Sequence, residues 1–95
     1  MGFLDKVLRK KPLDPDEWRQ KLLATGRITD GVIIDTYFDA DGAEIAMYSY
    51  TLNGVDFESS AVLTREQQND PVSYAPGAKV AVRYDPRNQG NSVIE

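Results

Sequence analysis

Tyr48-Ser49-Tyr50-Thr51-Leu52 and Val55-Asp56-Phe57-Glu58-Ser59 alternate apolar and polar positions on either side of Asn53-Gly54. That pairing predicts an antiparallel hairpin with a two-residue turn, because both central positions of the favoured turn need positive φ. Upstream, Arg27 to Phe38 reads as a first strand, and Asp39-Ala40-Asp41-Gly42 suits a three-residue loop with Gly42 left-handed. Each turn sets a register. The first pairs Asp39 with Ala43, Thr36 with Ala46, Ile34 with Tyr48 and Val32 with Tyr50. The second pairs Leu52 with Val55, Tyr50 with Phe57, Tyr48 with Ser59 and Ala46 with Ala61. Both registers place Val32, Ile34, Tyr48, Tyr50, Leu52, Val55, Phe57 and Ala61 on one face, which is the predicted core face.

The other face is divided. Ser49, Thr51, Asp56, Glu58 and Ser60 belong in water, whereas Tyr37, Ile45, Met47 and Val62 form an apolar patch that calls for a cover. A helix predicted from about Pro15 to Thr25 is the nearest candidate. Asp14 and Glu17 have capping-box spacing around Pro15, and Leu13 and Trp18 stand at hydrophobic-staple positions. Gly26 is placed to end the helix in a left-handed conformation, and Trp18 and Leu22 share a face with Leu23 beside them.

Beyond Leu63 the alternation breaks. Thr64 and Gln67 can cap one short turn, and the stretch to Ala75 reads as a long loop, a candidate contact region. Pro76-Gly77 marks a turn. Val80, Val82 and Tyr84 then alternate inward along Lys79 to Tyr84 until Asp85-Pro86 stops the strand. Arg87 to Asn91 reads as a polar turn before a short closing strand, Ser92-Val93-Ile94. The expected fold is mainly β: a small five-stranded antiparallel barrel, SH3-like or OB-like, with an N-terminal α-helix packed on it. Residues 13–95 form one domain after a basic segment at 1–12.

Composition narrows the chemistry. The chain has 95 residues, 41% hydrophobic and 27% charged, with net charge −4 and neither Cys nor His. The commonest general base, the commonest metal ligand and every thiol are therefore missing. Charge is unevenly placed: residues 1–11 carry four basic side chains against Asp5, while residues 12–95 carry seven basic and fourteen acidic ones. The acidic body should repel nucleic acid backbones, so no nucleic acid partner is expected. No run of about eighteen apolar residues is present and the start lacks a signal-peptide core, so a cytoplasmic location is the expectation.

Phe3, Leu4, Val7 and Leu8 recur at helical spacing among Lys6, Arg9, Lys10 and Lys11. This pattern suits a short basic amphipathic anchor for a membrane surface or a protein partner, but two turns of helix are marginal alone, which favours a frayed terminal helix or an apolar edge docked on the domain. No catalytic, cofactor or metal set is expected. Asp39-Ala40-Asp41-Gly42 imitates the middle of a calcium loop, but Tyr37 and Tyr48 then stand where acidic ligands belong. Asp56 and Glu58 share a strand face and read as an exposed acidic strip, and Ser59 and Ser60 have no histidine to activate them. Tyr37, Phe38, Tyr48, Tyr50, Phe57, Tyr74 and Tyr84 offer an alternative, a ligand- or base-stacking surface, although most of them fall on the predicted core face.

Residues from about Gly26 to Glu95 resemble a family of uncharacterised bacterial domains. The resemblance rests on the opening Gly31-Val32-Ile33, on the hairpin Tyr48 to Gly54, and most specifically on the block Tyr74 to Asn88 with its Tyr84-Asp85-Pro86. It implies the β fold, no established activity and no assigned catalytic residues. Members of that family are commonly carried beside transmembrane helices, which this chain lacks. A small non-catalytic module for protein interaction or membrane-surface association is the function it is expected to serve.

Overall fold

The computed structural model describes residues 15–95. In chain order it holds helix α1 (Pro15–Thr25), strands β1 (Arg27–Phe38), β2 (Glu44–Leu52) and β3 (Val55–Val62), helix α2 (Arg65–Gln68), and strands β4 (Lys79–Asp85) and β5 (Asn88–Ile94). The strands form one antiparallel sheet in the order β3-β2-β1-β4-β5. Its edges β3 and β5 come back into contact without pairing, so the sheet is a nearly closed barrel. Around the barrel the path runs 1-2-3-5-4-1, with a long first strand shared by both halves and a short helix between β3 and β4. That is the OB-like alternative of the two expected.

Both hairpin turns form as their residues require. Asn53 and Gly54 take φ of 52° and 80°, and Gly42 takes 83°. Asp39 Oδ1 accepts the N–H groups of Asp41 and Ala43, both at 2.9 Å, so this carboxylate serves the turn. The register from Leu52–Val55 to Ala46–Ala61 is the predicted one. Thr64 and Gln67 make a full capping box for α2.

The β1–β2 register departs from expectation at one place. Thr36 faces Ala46 as predicted, but Ile33 faces Tyr48 and Gly31 faces Tyr50, with a β-bulge between Ile33 and Asp35. One extra residue on β1 reverses the faces beyond it. Ile33 is 1% exposed, whereas Val32 and Ile34, expected inside, are 40% and 43% exposed. Ile33 also exchanges backbone bonds with the turn after Pro76: its N–H donates to Ala78 O at 2.9 Å and its carbonyl accepts from Gly77 N at 2.8 Å. The bulge lets a single strand bend from the β2–β3 half of the barrel into the β4–β5 half. Val55, also expected inside, is exposed because it lies at the open rim beside the turn.

The interior holds Ile33, Ala46, Tyr48, Tyr50, Leu52, Leu63, Val80, Val82 and Ile94. Tyr48 is fully buried and shares a 2.6 Å hydroxyl–hydroxyl bond with Ser92, while the Tyr50 hydroxyl donates to Gln89 O at 2.6 Å. These phenols therefore span the interior from β2 to β5, two strands that are not sheet neighbours. The Tyr50 ring stacks between Tyr48 at 6.0 Å and Phe57 at 5.3 Å.

Burial pushes the Tyr48 phenol above its ordinary value of 10.0, a rise that the hydrogen bonds to Ser92 and Ser59 oppose and Tyr50 reinforces. The native state thus holds a proton that the unfolded chain gives up near pH 10.0. The stabilisation is complete below that pH and is lost as pH rises toward the native value. In urea titrations, Tyr48→Phe should flatten the alkaline fall in stability by up to about 1.4 kcal/mol per pH unit. Equal slopes above pH 10.0 in both proteins would show that the phenol does not couple folding to pH.

Helix α1 has the predicted span but not the predicted place. It packs on β4 and β5, on the side away from Tyr37, Ile45, Met47 and Val62. Leu22 and Val93 are buried there, outside the main core. The Arg19 guanidinium donates to Ile94 O, and Arg83 Nη1 donates to Gly26 O at 3.2 Å while its Nε pairs with Glu95. Gly26 is not left-handed. Glycine is needed because a Cβ would lie 2.5 Å from Leu22 O and 3.0 Å from Tyr84 O. The chain turns from helix to strand in a space that only hydrogen fills. Asp14 and Leu13, assigned above to the cap and the staple, lie outside the described residues.

Candidate functional site

Alternation along β2 and β3 sends Ile45, Met47, Ser49, Ser60, Val62 and Glu58 outward, and the paired register arranges them in rows across three strands. Tyr37, Ile45 and Val62 form one row. The next is Asp35, Met47 and Ser60, with the bulged Ile34 beside it, and the third is Val32, Ser49 and Glu58. Apolar character therefore falls from the end of the sheet near Phe38 toward the Asn53-Gly54 turn. Tyr37 is 46% and Val62 51% exposed, with Ile45 and Met47 half-buried between strands. Single exposed apolar residues are ordinary on a protein surface, but a contiguous cross-strand group of five is a candidate contact surface.

The bulge builds part of this surface. Without it Ile34 turns inward, and with it Ile34 and Asp35 are both exposed. Two acidic residues, Asp35 and Glu58, lie in the adjoining rows, and Lys79 on β4 continues the third row beyond Val32. Val32 and Ile34 are the residues of this face that alternation misplaced. The unbroken Val32-Ile33-Ile34 was the available signal, since three apolar residues in succession cannot all face one side of a regular strand.

The other candidates settle in different places. Tyr48 and Tyr50 are interior, so these two do not form a stacking platform. Asp56 accepts from Thr51 Oγ1 at 2.6 Å on the open surface, and Glu58 is exposed. Ser59 lies at the Tyr48 phenol and Ser60 points to solvent. No group of three or more potential metal ligands occurs among the described residues.

The stretch Thr64–Ala75 is anchored at two points rather than open along its length. Buried Gln67 donates to Ile94 O at 3.2 Å, and the Tyr74 hydroxyl donates to Glu95 O at 2.9 Å. Beneath it lies a depression of about 220 Å³ bordered by Leu63, Gln67, Pro71 and Tyr74. Phe3, Leu4, Lys6, Val7, Leu8, Arg9, Lys10 and Lys11, the sequence-derived contact residues, lie outside the described residues. No described helix is long and apolar enough to cross a membrane.

One family profile matches the chain, over residues 24–95, and it is described as a domain of unknown function (DUF3592). No curated protein and no solved structure matches it significantly.

Proposed function

We propose, for a chain that belongs to the DUF3592 family, a non-catalytic docking module whose outer β1–β2–β3 face binds a protein. The observation that carries this reading is the Tyr37–Ile45–Val62 row with Met47 and Ile34 beside it, which α1 leaves uncovered. Asp35 and Glu58 beside these residues favour a partner with an apolar centre and basic groups opposite them, and disfavour an anionic lipid surface. The lack of histidine and cysteine, together with the engagement of Asp39 in a turn and of the Tyr48 phenol with Ser92, supports a role without covalent or acid–base chemistry.

A photo-crosslinking residue at Val62, expressed in the source cell, should give a discrete adduct. Tyr37→Lys on the same chain should remove that adduct and shift the thermal midpoint little, because the side chain is 46% exposed. An adduct that survives Tyr37→Lys, or none at all, contradicts the assignment. Flotation with anionic vesicles tests the membrane alternative: binding that depends on residues 1–11 would transfer the role to that segment.

A further inference from the structure

On the opposite side of the barrel a cleft of about 310 Å³ opens between α1 and the β4–β5 turn. One wall is apolar: the Trp18 indole, half-buried on the helix, with Leu22 at the base and Pro86 on the turn. Lys21 and Arg87 also line it. Both are exposed, and neither forms an ion pair among the described residues. Asp85 borders the cleft as well, but its Oδ1 accepts the backbone N–H of Arg87 at 2.8 Å, which holds that carboxylate on the turn.

Two exposed cations beside an indole and a pyrrolidine ring make a specific chemical demand. The cations leave donor groups that an anion satisfies with charge-assisted hydrogen bonds. The ring faces offer a flat apolar surface on which another ring stacks. The volume is at the small end of the range for ligand pockets, too small for a folded partner's side-chain cluster. We propose that this cleft binds a small anion carrying a flat ring, with Trp18 stacking on the ring and Lys21 and Arg87 holding the charge. A nucleoside monophosphate and an aromatic carboxylate share that chemistry. The site is separate from the outer β1–β2–β3 face, and neither assignment depends on the other.

Trp18 is the single tryptophan of the chain, so its indole N–H gives one unambiguous NMR resonance. The intact ¹⁵N-labelled protein is titrated with adenosine monophosphate, benzoate, adenosine and inorganic phosphate. At least one of the two ringed anions should move the indole signal saturably. Adenosine monophosphate alone assigns the site to nucleoside phosphates, benzoate alone to aromatic carboxylates, and both to the shared chemistry. Arg87→Ala and Lys21→Ala, both at exposed positions, should each weaken binding roughly tenfold or more, with an unchanged thermal midpoint. The proposal fails if neither ringed anion shifts the resonance or if adenosine binds as tightly as its monophosphate. It fails equally if inorganic phosphate reproduces the full shift, or if both variants bind with unchanged affinity.

Discussion

Ile33→Ala should lower the unfolding free energy by about 2–5 kcal/mol, whereas Ile34→Ala, one residue along the same strand, should cost less than about 1 kcal/mol. The residue type and the deleted atoms are the same, so the difference isolates the bulge. Ile33 is 1% exposed against Tyr48 and the rest of the barrel interior, and its truncation leaves a cavity that fully buried neighbours cannot fill. Ile34 already has 43% of its surface in water, so its truncation removes little burial. Urea unfolding of the two variants decides the matter. Equal losses, or a larger loss at Ile34, would mean that β1 pairs with β2 in the uninterrupted register and that Ile34 does not belong to the outer contact surface.

A second large effect is expected at Gly31. It faces inward between Tyr50 on β2 and Val80 on β4. A Cβ added there would lie 2.6 Å from Val82 Cγ2 and 2.9 Å from Ser49 O. The first is a side-chain atom of a fully buried valine and the second is backbone, so neither moves freely. Gly→Ala in open space stabilises a chain by about 0.4–1 kcal/mol through the unfolded state, and here overpacking reverses the sign to a net loss of roughly 1–3 kcal/mol. Val82→Ala removes the methyl that meets the new Cβ. The double variant should therefore be more stable than the sum of the single losses predicts, by about 0.5 kcal/mol or more. Strict additivity, or a stabilising Gly31→Ala, would show that the two strands lie farther apart at this point than the structure has them.

These two experiments bear on different parts of the molecule's logic. Gly31 reports how closely β1 lies between its two neighbours, and the Ile33–Ile34 pair reports which way the strand turns after that closest approach. Ile34 takes part in both the packing argument and the proposed docking face. A charged residue at Ile34 is therefore expected to alter partner capture with little loss of stability, unlike the same change at Ile33.

The sequence was most readable wherever a local interaction settles a local shape. Asn53-Gly54 and Asp39 to Gly42 carry the backbone freedom their turns need, and the two-residue turn dictates the β2–β3 register from Leu52 back to Ala46. Pro15 to Thr25 was readable as a helix from its start signals and its stop at Gly26, and Thr64 with Gln67 marked α2. The same local logic mistook the reason for Gly26. A glycine after a helix suggests a left-handed cap, but the two carbonyls crowding this one come from Leu22 and from Tyr84, and the latter is 58 residues distant in sequence.

The candidate site was readable only in part. Tyr37, Ile45, Met47 and Val62 emerged from alternation alone as an apolar group on the outer face. That α1 covers a different face did not, because an amphipathic helix states how much it must bury and not against which strands. The cleft of Trp18, Lys21 and Arg87 was hidden for a similar reason: the β4–β5 turn is tighter than its polar residues suggested, with β5 beginning at Asn88, and it brings Pro86 and Arg87 against a helix some 65 residues earlier.

What the amino-acid order determined by itself is therefore a set of strands, two tight turns, two helices and the inward direction of β2 and β4, because turn geometry and period-two alternation act between near neighbours. The strand order by which the expected barrel closes, the bulge that sends Ile33 inward and Ile34 outward, and the seat of α1 on β4–β5 were decided only by tertiary structure. They depend on how much space remains when distant strands meet, a quantity that no short stretch of the chain contains.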